Sequence, residues 1–256
     1  MAVETEKREL NEYQKRNIHL LSHLIDYDAV DEQIVEHLHQ SELDYFSLLE
    51  KIRLLELRAN IDEKTSLLKY RKSYLSSIVK MASRIYHGMD GVDYSVSLVR
   101  FDIDDFSRFN NKYGHDVGDK VLLSIARTIK ELSRPTDYVI RFGGEEIDVI
   151  LPATNLIGAE TYVSKLMDKI REIRITHGND TLSVTVSAGL SCRTIGVNKL
   201  LCIRDEEIER LYTEIQCEAD DALYEAKSSG KNRFCIYSKE RKDIYRSCRR
   251  EYEKNS

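Results

Sequence analysis

The chain has 256 residues, of which 41 % are hydrophobic and 32 % charged, with a formal net charge of -5 at pH 7. That length buries a substantial core in one large or two small domains, and the acidic balance excludes a general affinity for polyanions, so nucleic acid is not expected as a partner. The five cysteines (Cys192, Cys202, Cys217, Cys235, Cys248) are odd in number and lack CxxC spacing, which reads as free thiols in a reducing compartment. The opening residues MAVETEKREL carry no apolar signal core, and no run approaches the roughly 20 apolar residues of a membrane span, so a cytoplasmic protein without a span is expected.

Residues 6–61 contain neither glycine nor proline and are rich in Leu, Glu, Lys and His, which predicts helix. Within them Ile34, Leu38, Ser41, Tyr45, Leu48, Ile52, Leu55 and Ala59 alternate at spacings of four and three, one narrow coiled-coil seam. DYDAVD, from Asp26 to Asp31, breaks or caps the region, leaving a helical hairpin or a rod open. Residues 1–61 are thus expected as a helical dimerisation or signal-relay segment, with packing on the chain's own domain as the other reading. His19, His23, His37 and His39 read either as surface histidines or as a zinc-sensing input, although no cysteine or carboxylate pattern completes a zinc set.

After Asp62 the pattern changes. YSVSLVRFDID, Tyr94 to Asp104, alternates like a half-buried strand, and the residues after it predict a glycine-punctuated loop and an amphipathic helix. DYVIRF and EEIDVIL read as two strands joined by Gly143–Gly144, a tight hairpin turn. Helix is expected over GAETYVSKLMDKIREI, strand over LSVTVSAGLS, helix over RDEEIERLYTEIQCEADDALYEAKSSG and a last strand over NRFCIY. Interleaved strands and helices with one antiparallel hairpin predict an α/β (α+β) domain over 62–238, a mixed central sheet flanked by helices. Residues 239–256 read as a charged tail, solvated helix or disordered.

Asp102 and Asp104 lie two apart at a strand end and so share a face, while Glu145 and Glu146 open another strand just past the glycines. If the two ends are neighbours, the carboxylates converge, repel, and call for a cation; hard oxygen ligands suit Mg²⁺ or Mn²⁺. Charged residues capping strand ends in water are the plainer alternative. NNKYGHDVGD adds Asn110 and Asp119, whose side chains can match the donors and acceptors of a purine edge.

FDIDDFSRFNNKYGHDVGDKVL, RFGGEEIDVILP, VTVSAGLS and ADDALYEAKSSGKNRF, in this order, resemble the motifs of the GGDEF family of diguanylate cyclases. DEKTSLLKYRKSYL resembles that family's domain-opening segment, with Asp62, Thr65 and Leu67 retained and Lys64 in place of its leucine. The resemblance implies a palm-like domain that condenses two GTP into cyclic di-GMP and two pyrophosphates as a homodimer, each subunit holding one GTP. It places Asp102, the carbonyl of Ile103, Glu145 and Glu146 around Mg²⁺ or Mn²⁺, with Glu145 and Glu146 catalytic. It also assigns Asn110, Asp119, Lys227 and Lys231 to GTP, and Arg134 and Asp137, in RPTD, to inhibition by the product; Gly143 and Gly144 leave room for a ligand to approach the backbone, and His115 reads as part of the nucleotide loop. An exposed turn pair is the alternative for Arg134 and Asp137. Three departures from the family pattern stand out: Ser107 where a lysine is usual, Ile147 for the signature's phenylalanine, and Lys231 for an arginine. A catalytically weakened module that binds GTP or cyclic di-GMP is therefore the alternative. Asp148 reads only as an exposed strand position.

Overall fold

The computed structural model describes residues 60–85 and 93–255. The expected N-terminal helices fall outside them, with their seam and their four histidines. The described residues belong to one compact unit.

Strand β1 (Leu68–Lys69) leads into helix α1 (Ser73–Ile85), and β2 (Tyr94–Ile103) follows. Helices α2 (Phe106–Tyr113) and α3 (His115–Leu132) precede the hairpin of β3 (Tyr138–Gly143) and β4 (Glu146–Leu151). Then come α4 (Leu156–Arg171), a small hairpin of β5 (Ile175–His177) and β6 (Asp180–Leu182), β7 (Val186–Ile195), and α5 (Val197–Cys202). Last are α6 (Asp205–Ser228), β8 (Phe234–Ile236) and α7 (Lys242–Asn255). Six strands form one mixed sheet in the order β1-β3-β4-β2-β7-β8. The outer pairs β1–β3 and β7–β8 are parallel and the inner pairs antiparallel. The expected mixed sheet with flanking helices is what the chain builds.

Helices cover both faces. On one, Val121, Ile125 and Ile129 of α3 and Val163, Leu166 and Ile170 of α4 pack on Val99, Phe101 and Val149. On the other, Leu75, Ile78 and Val79 of α1 and Tyr212, Ile215 and Ala219 of α6 pack on Val96, Leu98 and Ile150. Each such side chain, removed from water, contributes about 1.5–3 kcal/mol before the cost of ordering. Coverage on both faces corrects the half-buried reading of β2: nine of its ten residues are buried.

Three further differences have physical reasons. The loop expected after β2 is itself a helix, α2, joined at Gly114 to the expected amphipathic helix α3, because Phe106 and, one helix later, Val117 and Val121 supply a buried stripe. LSVTVSAGLS does not run as one strand; Leu182 ends β6, and β7 starts at Val186, where pairing with β2 begins. The charged tail is docked rather than solvated. Tyr245 of α7 is buried, stacks on Tyr237 at 5.3 Å between ring centroids, and its hydroxyl accepts from Ser238 N. Arg249 of α7 bonds Asp220 at 2.7 Å and Asp221 at 2.9 Å on α6. Among the described residues no helix is long and apolar enough to cross a membrane.

Candidate active site

Strands β2 and β4 run antiparallel with Asp102 opposite Glu146, so the last turn of one strand and the first residue of the other open at the same sheet edge. Between β3 and β4 the two turn residues are Gly144 and Glu145, one position later than expected; Gly143 still pairs with Glu146, across a register shift after Arg141. Gly144 holds φ +43°, a conformation that a Cβ disfavours, and this lifts Glu145 to the tip of the turn. The turn is clamped from below. Arg141 donates through Nε and Nη2 to the Gly144 carbonyl at 3.2 and 2.9 Å, and through Nη1 to Asp62 Oδ1 at 2.9 Å. Asp62 also accepts from Thr65 N and Oγ1, so the domain-opening loop and the glycine turn are fixed to each other.

Asp102 is 7 % exposed, and Lys227 Nζ of α6 stands 2.8 Å from its Oδ2. Burial pushes the Asp102 carboxyl up, Lys227 pulls it down, and the Glu145 and Asp104 carboxylates push it up again; the balance lies above the usual carboxylate range. Burial also raises Glu146, against Arg100 and with Asp102 adding repulsion. Burial first, and the neighbouring carboxylates after it, thus disfavour the ionised forms of both groups.

Asp104 is not part of that set. It accepts from Thr185 Oγ1 and Ser187 Oγ, both at 2.6 Å, and from Asn232 N at 3.0 Å, which ties β2 to β7 and to the segment before β8. Asp105, at φ +55°, turns away and pairs with Lys231 at 2.6 Å. Lys227 thus reaches the end of β2 and Lys231 the loop that follows it.

Asn110 and Asp119 sit on α2 and α3, not in a loop. Asn110 folds against Gly118, where an added Cβ would lie 1.8 Å from its Oδ1, so only glycine admits this side chain. That Oδ1 is buried without a hydrogen-bond partner. Asp119 is half-exposed and pairs with Lys64 Nζ at 2.6 Å. His115 is the exposed first residue of α3.

Arg134 and Asp137 form a tight turn in which Arg134 N donates to Asp137 Oδ2 at 2.7 Å. Burial raises the Asp137 carboxyl, and its Oδ1 is buried without a partner. Both residues line a groove of about 330 Å³ with Ser66, Leu68 and Lys130.

The layer behind the carboxylates is not marked by any local pattern in the sequence. Asp148, expected to be exposed, is fully buried and bound by Arg100 Nε at 2.8 Å and Nη2 at 2.9 Å. Arg100 also reaches Asp220 at 3.4 Å and lies over the Phe142 ring at 3.9 Å. Because α6 covers this face, a charge there must be paired rather than solvated. Opposite charges in two predicted strands, Arg100 and Asp148, were the available signal; only their register shows that they face each other.

Among the described residues no group of three or more His, Cys, Asp or Glu side chains stands placed to hold a metal ion. The donor set nevertheless fits a divalent cation. Its members are hard carboxylate oxygens in partial burial, repelling each other, with a lysine ammonium supplying the counter-charge. Mg²⁺ needs only one or two protein carboxylates beside phosphate and water, so an open pair suits it better than a cage.

A family model described as "Diguanylate cyclase, GGDEF domain" matches residues 59–233. YtrP of Bacillus subtilis, which carries no assigned function, is 33 % identical over 72 % of this chain and 27 % of its own length. The diguanylate cyclase DgcM of Escherichia coli is 32 % identical over 70 % of this chain and 38 % of its own. This chain therefore spans only about a quarter to two fifths of these relatives. Among solved structures, diguanylate cyclase SiaD of Pseudomonas aeruginosa, in complex with its activator SiaC, superposes with a TM-score of 0.61 at 27 % identity, over 88 % of this chain and 78 % of that one. With its family match extending over more than half of its residues, this chain belongs to the GGDEF-domain family of diguanylate cyclases.

Proposed function

We propose that the chain is a diguanylate cyclase that condenses two GTP into cyclic di-GMP and two pyrophosphates as a homodimer, on the cytoplasmic side where GTP is available. The observation that carries the reading is the under-neutralised carboxylate row, Asp102 opposite Glu146 with Glu145 at the turn tip, beside Lys227.

Asp102, the Ile103 carbonyl, Glu145 and Glu146 would hold the divalent cation, Mg²⁺ or Mn²⁺. A bound cation of that kind neutralises phosphate charge and favours ionisation of an attacking hydroxyl. Glu145, raised on the turn, accepts the proton of a ribose 3′-hydroxyl, whose oxygen bonds to the α-phosphorus of the GTP on the facing subunit as pyrophosphate leaves. Glu146 supports the cation from the strand start. Gly143 and Gly144 present no side chain to block the nucleotide. Lys227 and Lys231, released from Asp102 and Asp105, hold the terminal phosphates as point charges. Asn110 and Asp119 read guanine, with His115 bordering the same end of the cleft. One subunit offers one half of the reaction, so the rate per chain falls on dilution into monomers.

Arg134 and Asp137 bind the product in their groove and restrain turnover. Arginine meets phosphate or guanine with two parallel donors, and the unpartnered Asp137 Oδ1 is an acceptor for guanine N–H groups.

The test is chromatography of the products after incubating concentrated protein with GTP and Mg²⁺. Cyclic di-GMP with two pyrophosphates per molecule is expected. GTP bound but intact would sink the enzyme reading and leave a nucleotide-binding module.

A further inference from the structure

The Lys64–Asp119 pair joins two segments 55 residues apart, the domain-opening loop and α3. Lys64 Nζ straddles the carboxylate, 2.7 Å from Oδ1 and 2.6 Å from Oδ2. The two side chains are 46 % and 43 % exposed, so water competes for both and the pair contributes little to stability. The loop that carries Lys64 is held by other bonds. Asp62 binds Thr65 and Arg141, Ser66 N donates to the Asp62 carbonyl at 2.8 Å, and Lys130 Nζ donates to the Ser66 carbonyl at 3.1 Å. A lysine is thus presented at a fixed place, on a loop bonded to the glycine turn, without being needed to fix that place.

We infer that Lys64 is a specificity-determining residue for the base, donating to the acceptor edge of guanine while Asp119 accepts from its donors. This rests on the reading above that Asn110 and Asp119 face guanine. Guanine carries N–H donors at N1 and N2 beside acceptors at O6 and N7. A carboxylate and an ammonium side by side present an acceptor next to a donor, which is the complement of that edge. On binding, Asp119 turns its oxygens to N1–H and N2–H while Lys64 moves to O6, so the two charges stay adjacent and neither is stranded. Adenine has an amino donor where guanine has O6 and an unprotonated N1, so it sets donor against donor at Lys64 and acceptor against acceptor at Asp119. The buried, unpartnered Asn110 Oδ1 is a further acceptor at this end.

The experiment is calorimetric titration of the full chain with GTP and with ATP, for the unaltered protein and for Lys64→Leu, Lys64→Arg and Lys80→Met. Lys80 makes a comparably exposed pair with Asp205 at 2.8 Å, away from the cleft residues, and serves as the control. Lys64→Leu is expected to weaken GTP binding about tenfold while leaving ATP unchanged, so that discrimination shrinks by the same factor. Lys64→Arg keeps most of the preference, and Lys80→Met keeps all of it. Undiminished or tighter GTP binding by a folded Lys64→Leu, against clear binding by the unaltered chain, overturns this inference alone. Absence of GTP binding by the unaltered chain overturns both this inference and the reading it rests on.

Discussion

Two rows of side chains on the same face of the same strand pair behave in opposite ways. In the inner row Arg100 faces Asp148, with two bonds below 3 Å, a ring beneath the guanidinium and Asp220 to spare. Two residues toward the sheet edge, Asp102 faces Glu146; Lys227 pairs with Asp102 and Arg100 attracts Glu146, yet burial and mutual repulsion hold both carboxyls above their ordinary range. The inner row is electrically complete and the outer one is not. A fold keeps such an imbalance where something else completes it, so the difference separates scaffold from site more sharply than burial does.

The largest effect expected from disturbing the outer row is on turnover. Glu145→Ala should lower cyclic di-GMP production by about 10³-fold or more while the unfolding midpoint stays put. Retained activity would remove Glu145 from the chemistry. The inner row should respond in the other currency, stability. Arg100→Met strands a buried carboxylate and should cost about 3–5 kcal/mol in denaturant unfolding, whereas the double change Arg100→Met with Asp148→Leu should recover most of that loss. Equal losses for the single and double variants would mean that the pair does not act as a unit.

A smaller effect follows from proton linkage. Asp102 and Glu146 bind protons more tightly in the folded chain than in the unfolded one, because their folded pKa values are raised. Their own contribution to cation-free stability should therefore be largest at or below about pH 4 and be lost as the pH rises through the raised values. Since Mg²⁺ binds the ionised form, the rise in melting temperature on adding it should be larger near about pH 8 than near about pH 5. A rise independent of pH would contradict the carboxylate assignment. The smallest change concerns regulation: Arg134→Ala should keep the progress curve from bending as product accumulates, and a curve superimposable on that of the unaltered chain would count against the product site.

Much of the outer row was legible in the sequence because its signals are local. Asp102 ends an apolar run, two glycines precede Glu145 and Glu146, and Asn110 and Asp119 fall within one short motif. What stayed hidden depends on contacts made late in the chain. Asp148 reads as exposed until α6 is laid over it, and the tail reads as solvated until Tyr245 finds Tyr237 and Arg249 finds Asp220. The turn was misplaced by one residue because Gly143 and Gly144 are alike in composition, and only the strand register separates them. Lys64 stands where the family has a leucine, but its reach to Asp119 crosses the fold and no spacing rule reveals it.

Cation binding at the incomplete outer row is the central proposal. Titration of Mn²⁺ in the presence of GTP, followed by electron paramagnetic resonance, measures it directly in the unaltered chain, in Asp102→Asn, and in the Arg100→Met, Asp148→Leu double variant. Saturable Mn²⁺ binding that is lost in Asp102→Asn and kept in the double variant is predicted. Binding that survives Asp102→Asn, or that disappears only with the inner pair, would contradict it.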